Sequence, residues 1–88
     1  DLIDQELRRE GHALLEQADA MARAAGIGCV PHVRIGHPGE EIAACAAEMG
    51  CDAIIMGTRG MGAAAGLLLG SVATKVVHLA QVPVTLVR

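Results

Sequence analysis

Between Gly57 and Ser71 the chain reads GTRGMGAAAGLLLGS, a run whose glycines, single arginine and single serine suit the holding of an anion. Glycines lack a Cβ, so backbone N–H groups can close around an anionic group as a concave nest. Arg59 adds a forked, permanently charged donor. Ser71 can cap a following helix or give its hydroxyl to a phosphate oxygen. A helix starting after Gly70 contributes unpaired N–H groups and the positive end of its dipole. This is the chemistry of binding phosphate, not of breaking a bond. No residue beside the run is an evident general base, and no acid follows Asp52 to hold Mg²⁺ there. Any hydrolysis would rest on positioning alone, so we expect no enzyme, or at most a slow phosphohydrolase.

The charge distribution favours the same region. Residues 1–52 carry ten acids against four bases, a net of −6, while residues 53–88 carry no acid and three bases, Arg59, Lys75 and Arg88. An acid-free, glycine-rich segment is where an anionic ligand meets least repulsion. The overall net charge of −3 argues against nonspecific DNA binding. With no Phe, Tyr or Trp in the chain, bases have no aromatic platform to stack on, and no nucleic-acid partner is expected. No run reaches the ~18 apolar residues of a membrane span. Cys29, Cys45 and Cys51 lack CxxC spacing and read as free thiols of a reducing cytoplasm rather than as zinc ligands. His12, His32, His37 and His78 read as surface or interface residues.

The elements that must position the loop follow from periodicity. Leu7, Leu14, Ala18, Met21 and Ala25 form one apolar stripe on a helix over about residues 2–25, stopped by Gly26. Gly11 weakens its middle by roughly 1 kcal/mol relative to Ala. Residues 29–35 are an edge-strand candidate, since Pro31 has no N–H for a ladder. A short helix over 39–49 places Ile42, Cys45, Ala46 and Met49 on one face, with Gly50 as its stop. Ala53 to Met56 is a continuous apolar run of the kind covered on both faces in parallel sheets. Val72, Val76, Leu79 and Ala80 mark a third helix, and Val84 to Val87 a closing strand after Pro83. Helices and strands alternate, which predicts an α/β fold with right-handed crossovers. The loop then emerges at the carboxyl end of a strand, where open parallel sheets bind ligands.

Three nucleotide-loop patterns can be compared with this run. A Walker loop needs GK[ST], which is absent. A dinucleotide fingerprint is met weakly by Gly60, Gly62 and Ala65, without the later acid that would hold a ribose. The spacing G-x2-G-x9-G-[S/T] is met by Gly57, Gly60, Gly70 and Ser71. Taken singly, Gly57 is a strand-ending turn, Gly70–Ser71 a helix cap and Arg59 a surface cation. Together, with MGTRGMG before, LLLGSVA after and PVTLVR at the end, they resemble the ATP-binding signature of the universal stress protein family. The resemblance is close over residues 52–88 and looser over 27–51.

The resemblance implies an open parallel sheet with helices on both faces, of the adenine nucleotide alpha hydrolase-like or Rossmann-like kind, in the strand order 3-2-1-4-5. It makes residues 1–88 a partial domain whose N-terminal strands are absent, with the nucleotide-phosphate loop at 56–73. Met56, Gly57, Arg59 and Gly60 would approach ribose and phosphates from one side, and Gly70, Ser71, Val72 and Ala73 would bind the phosphates from the other. Family members that bind nucleotide can carry a hydroxyl at the position of Ala73, which here offers only backbone. The implied ligand is ATP, with or without Mg²⁺. The implied partner is a second copy, paired through the strand at 84–87, and the implied setting is a cytoplasmic stress response. The alternative is a dimeric interaction protein of the same fold that binds no nucleotide.

Overall fold

The computed structural model describes residues 1–58 and 69–88. In chain order they form helix α1 (Leu2–Ala24), helix α2 (Pro38–Glu48), strand β1 (Ile54–Gly57), helix α3 (Ser71–Leu79) and strand β2 (Val84–Val87). The chain divides into two compact units, Asp1–Ile35 and Gly36–Arg88.

In the first unit, α1 is fixed at its start by Asp1, whose carboxylate accepts the Asp4 N–H at 3.0 Å. Asp4 pairs with Arg8 and Asp19 with Arg23, each at 3.0 Å and each acid-first at i,i+4, the order that suits the helix dipole. The helix stops where the sequence predicts. Gly26 takes φ 74°, its N–H reaches the Arg23 carbonyl, and the Ile27 N–H reaches that of Ala22 at 2.8 Å. This double closure is a Schellman motif. The expected apolar stripe, however, is not the covered face. Leu7, Leu14, Ala18, Met21 and Ala25 are exposed, and the half-buried positions are Asp4, Gly11, Leu15, Asp19 and Ala22. Gly11 supplies the reason: a Cβ there would lie 3.0 Å from Val33 Cγ1. The glycine that weakens the helix makes room for the returning chain.

That returning segment is not a strand. Residues 29–35 belong to no helix or strand, whereas the sequence suggested an edge strand there. A strand exists through the ladder it shares; Pro31 cannot donate to one, and this stretch shares no ladder with a described strand.

The second unit is a two-layer α/β arrangement. β1 and β2 pair in parallel, with Ile54 opposite Val84, Ile55 opposite Thr85, Met56 opposite Leu86 and Gly57 opposite Val87. α2 ends in a second Schellman closure, with Gly50 at φ 65° and the Cys51 N–H on the Ala46 carbonyl. Ala46, Ile54 and Val76 form the buried centre, with Ile42, Met56, Val72, Ala80, Val82 and Val84 packed against it. Val76 is fully buried, and burying such a side chain contributes about 1.5–3 kcal/mol. The sheet is covered on the face that carries Ile54. On the other face Ile55 is 74% exposed, so the apolar run of β1 is not buried on both sides within this unit.

The helices meet at Gly39. A Cβ built there would lie 2.6 Å from Lys75 Cβ and 3.4 Å from the Val72 carbonyl oxygen. Gly39→Ala is therefore expected to lower stability by about 1–2 kcal/mol, the overpacking cost exceeding the ~1 kcal/mol of helix propensity gained. Chemical denaturation reads this directly; an unchanged or raised midpoint would show that α2 and α3 can separate at no cost.

Candidate functional site

The two ends of the glycine loop are brought together by backbone hydrogen bonds. β1 ends at Gly57, and the next residue, Thr58, donates its N–H to the Val87 carbonyl at 2.9 Å, extending the parallel ladder by one rung. The Thr58 carbonyl in turn accepts the Gly70 N–H at 2.6 Å. Gly57 is thus one residue from a direct tie to the start of α3, although the sequence separates the two by the whole loop. Arg59 and Gly60 lie outside the described residues.

α3 begins with Gly70 as its N-cap, at φ −72° and ψ 164°. The Gly70 carbonyl accepts the first helical N–H, from Thr74 at 3.0 Å, and also the Thr74 hydroxyl at 2.9 Å. The N–H groups of Ser71, Val72 and Ala73 precede that first bond, so the helix makes no internal use of them. They carry the positive end of the α3 dipole. Ser71 is exposed, Val72 half-buried and Ala73 only 2% exposed. Met56 is half-buried against the core and Gly57 exposed. Six of the eight residues implicated by sequence are therefore described: Met56 and Gly57 end one strand, and Gly70 to Ala73 open one helix.

A recess of about 280 Å³ adjoins Ser71 and Val72, bounded also by His37, Gly39, Glu40 and Lys75. Here the first turns of α2 and α3 lie side by side. The recess contains residues that motif spacing does not find. Lys75 is not only a surface charge: its Nζ stands 3.9 Å from Glu40 Oε1, with both side chains about half exposed. An exposed pair of this kind contributes at most about 1 kcal/mol. Glu40 belongs to the acidic half of the sequence, and only the helix packing places it beside the acid-free segment. Thr58 was equally invisible as a site residue, because it acts through its backbone.

A larger groove of about 490 Å³ runs along α2 to the end of α3, lined by alanines with Cys51, Ile54 and Leu79. It offers no cation, which makes it unsuited to an anion. Among the described residues no group of three or more His, Cys, Asp or Glu could hold a metal ion, and Cys29, Cys45 and Cys51 are free thiols. No helix among them is long and apolar enough to cross a membrane.

The sequence pattern of the Universal stress protein family matches residues 1–88. The chain belongs to the universal stress protein family. It is 36% identical over 88 residues to Universal stress protein YxiE of Bacillus subtilis, covering 100% of this chain and 60% of that protein. It is 35% identical over 88 residues to Universal stress protein MJ0531 of Methanocaldococcus jannaschii, covering 100% of this chain and 52% of the relative. The solved structure of the hypothetical protein MJ0577 superposes with a TM-score of 0.90 at 30% identity, over 97% of this chain and 59% of that one. The chain thus spans between about half and three-fifths of the length of these three proteins.

Within this universal stress protein chain, the Thr74 hydroxyl is occupied by the Gly70 carbonyl, which also holds the Thr74 N–H. Thr74→Val is therefore expected to change the unfolding free energy by less than about 1 kcal/mol, because the carbonyl keeps one donor. A loss of more than about 2 kcal/mol would mean that the hydroxyl, not the backbone, fixes the start of α3.

Proposed function

We propose that this chain is the phosphate-binding part of an ATP-binding universal stress protein acting in a cytoplasmic stress response. The observation that carries the reading is the join between Thr58 and Gly70 at 2.6 Å. It ties the residue after Gly57 to the N-cap of α3, whose Ser71, Val72 and Ala73 N–H groups have no partner within the helix, and this supports the order that the family signature implies. By the family resemblance, Met56, Gly57, Arg59 and Gly60 together approach ribose and phosphates from one side. Each N–H given to a phosphate oxygen contributes roughly 1.5–3 kcal/mol before the cost of association. Where Mg²⁺ accompanies the nucleotide, Glu40 is the acid that lines the recess beside Ser71 and Val72.

In this reading the protein holds the nucleotide and does not turn it over. No described group beside α3 is arranged as a general base, and positioning alone supports at most slow hydrolysis. We also propose that β1 and β2 belong to a wider parallel sheet with helices on both faces. Support comes from the exposed face around Ile55, 74% accessible, and from the greater length of the relatives.

The partner reading is a homodimer through the outer edge of β2. Its inner edge pairs with β1, and Leu86 and Val87 are 36% and 51% exposed, so the outer edge would otherwise stand as an open template for pairing. The alternative, a dimeric interaction protein without nucleotide, draws on one feature: Ala73 has no hydroxyl and is buried.

Two measurements separate these readings. Gly70→Val should abolish ATP binding in calorimetry on the intact protein, since Gly70 is buried and the family signature brings the phosphates to it; unchanged affinity would remove this loop as the phosphate site, and no ATP binding by the unaltered protein would leave the interaction protein. Light scattering at high micromolar concentration should give a dimer, and a monomer there would remove the β2 edge as the partner surface.

A further inference from the structure

We propose that the Thr58 backbone is a positioning group of the phosphate site, holding the Gly70 N–H away from the ligand and leaving the Ser71, Val72 and Ala73 amides as the donors of α3. The inference rests on the nucleotide-binding reading and assigns to its residues a division of labour that glycine spacing does not contain.

Gly70 has one N–H and one carbonyl, and both are committed inside the protein. The N–H lies 2.6 Å from the Thr58 carbonyl, and the carbonyl receives the Thr74 N–H at 3.0 Å and its hydroxyl at 2.9 Å. A single N–H has one strong acceptor, so giving it to a phosphate oxygen means breaking the bond to Thr58. That bond is itself anchored. The Thr58 N–H is held by the Val87 carbonyl at 2.9 Å, so the acceptor of the Gly70 N–H is tied to the end of β2. Strand end, loop base and helix start are therefore linked by consecutive hydrogen bonds of one residue's peptide groups.

The backbone angles of Gly70 point the same way. At φ −72° and ψ 164° it sits in the extended region open to every residue. The conformation does not demand glycine. What glycine provides at this buried position is the absence of a side chain, and the donors come from the next three residues, whose N–H groups have no partner within the helix. Gly70 shapes the site and Ser71 to Ala73 bind.

Hydrogen exchange and amide resonances, read residue by residue in the isotope-labelled intact protein without and with saturating ATP, test this. The Gly70 amide is expected to exchange about tenfold more slowly than those of Ser71, Val72 and Ala73 in the free protein. ATP should shift the Ser71, Val72 and Ala73 resonances while the coupling across the hydrogen bond from Gly70 to the Thr58 carbonyl persists. Fast exchange at Gly70 in the free protein, or loss of that coupling when ATP is added, overturns the positioning role and leaves nucleotide binding standing. A protected Gly70 with no resonance moving on addition of ATP overturns the nucleotide reading, and the donor assignment falls with it.

Discussion

The close approach of α2 to α3 governs the rest of the second unit. The chain has no Phe, Tyr or Trp, so its core cannot be filled by a few large rings. It is filled by proximity: among the described residues the buried apolar ones are Ala46, Ile54, Ala73 and Val76, and the helices meet where Gly39 leaves no room for a Cβ against Lys75. Small side chains reach protein-like packing density only when the backbones that carry them come close. The same closeness sets the first turns of α2 and α3 side by side and creates the recess next to Ser71. A larger residue at Gly39 would act on the core and on the shape of the candidate site together, because both depend on one interhelical distance.

Much of this was legible in the sequence, for local reasons. Gly26 and Gly50 stop their helices because both take positive φ, a state that Leu or Val would resist. The helix after Gly70 and the strands at β1 and β2 follow from apolar runs bounded by glycine and proline. The faces were harder. The stripe through Leu7, Leu14 and Met21 is regular enough to look like a core face, yet Gly11 receives Val33 and turns a different face inward. Periodicity counts apolar residues; it does not see that a missing side chain can be the contact. Residues 29–35 have strand-like composition but no ladder, since pairing is a property of two segments and composition of one. The glycines of the candidate site were visible, whereas Thr58, Glu40 and Lys75 were not. Thr58 acts through peptide groups that every residue shares, and Glu40 meets Lys75 only through the packing of α2 on α3.

That contrast bears on how such a site can work. The space beside Ser71 is lined by the start of α3, which carries backbone N–H groups without helical partners, and by His37, Glu40 and Lys75, the last two exposed. The side-chain pair stands at 3.9 Å with both partners about half exposed, where an ion pair is worth about 0.2–1 kcal/mol and weakens further with salt. A helix N–H donating to a charged oxygen is worth roughly 1.5–3 kcal/mol, and its direction is set by the helix, at no rotamer cost. The backbone terms therefore outweigh the side-chain terms. A site built this way needs glycine where the chain must stay narrow and a well-anchored helix start. It asks little of the residues in between. Its anchoring comes from Thr58, bonded on one side to β2 and on the other to Gly70. The geometry of the proposed anion site would thus be fixed by the same ladder that pairs the two strands, and its integrity would depend on the register of β1 on β2.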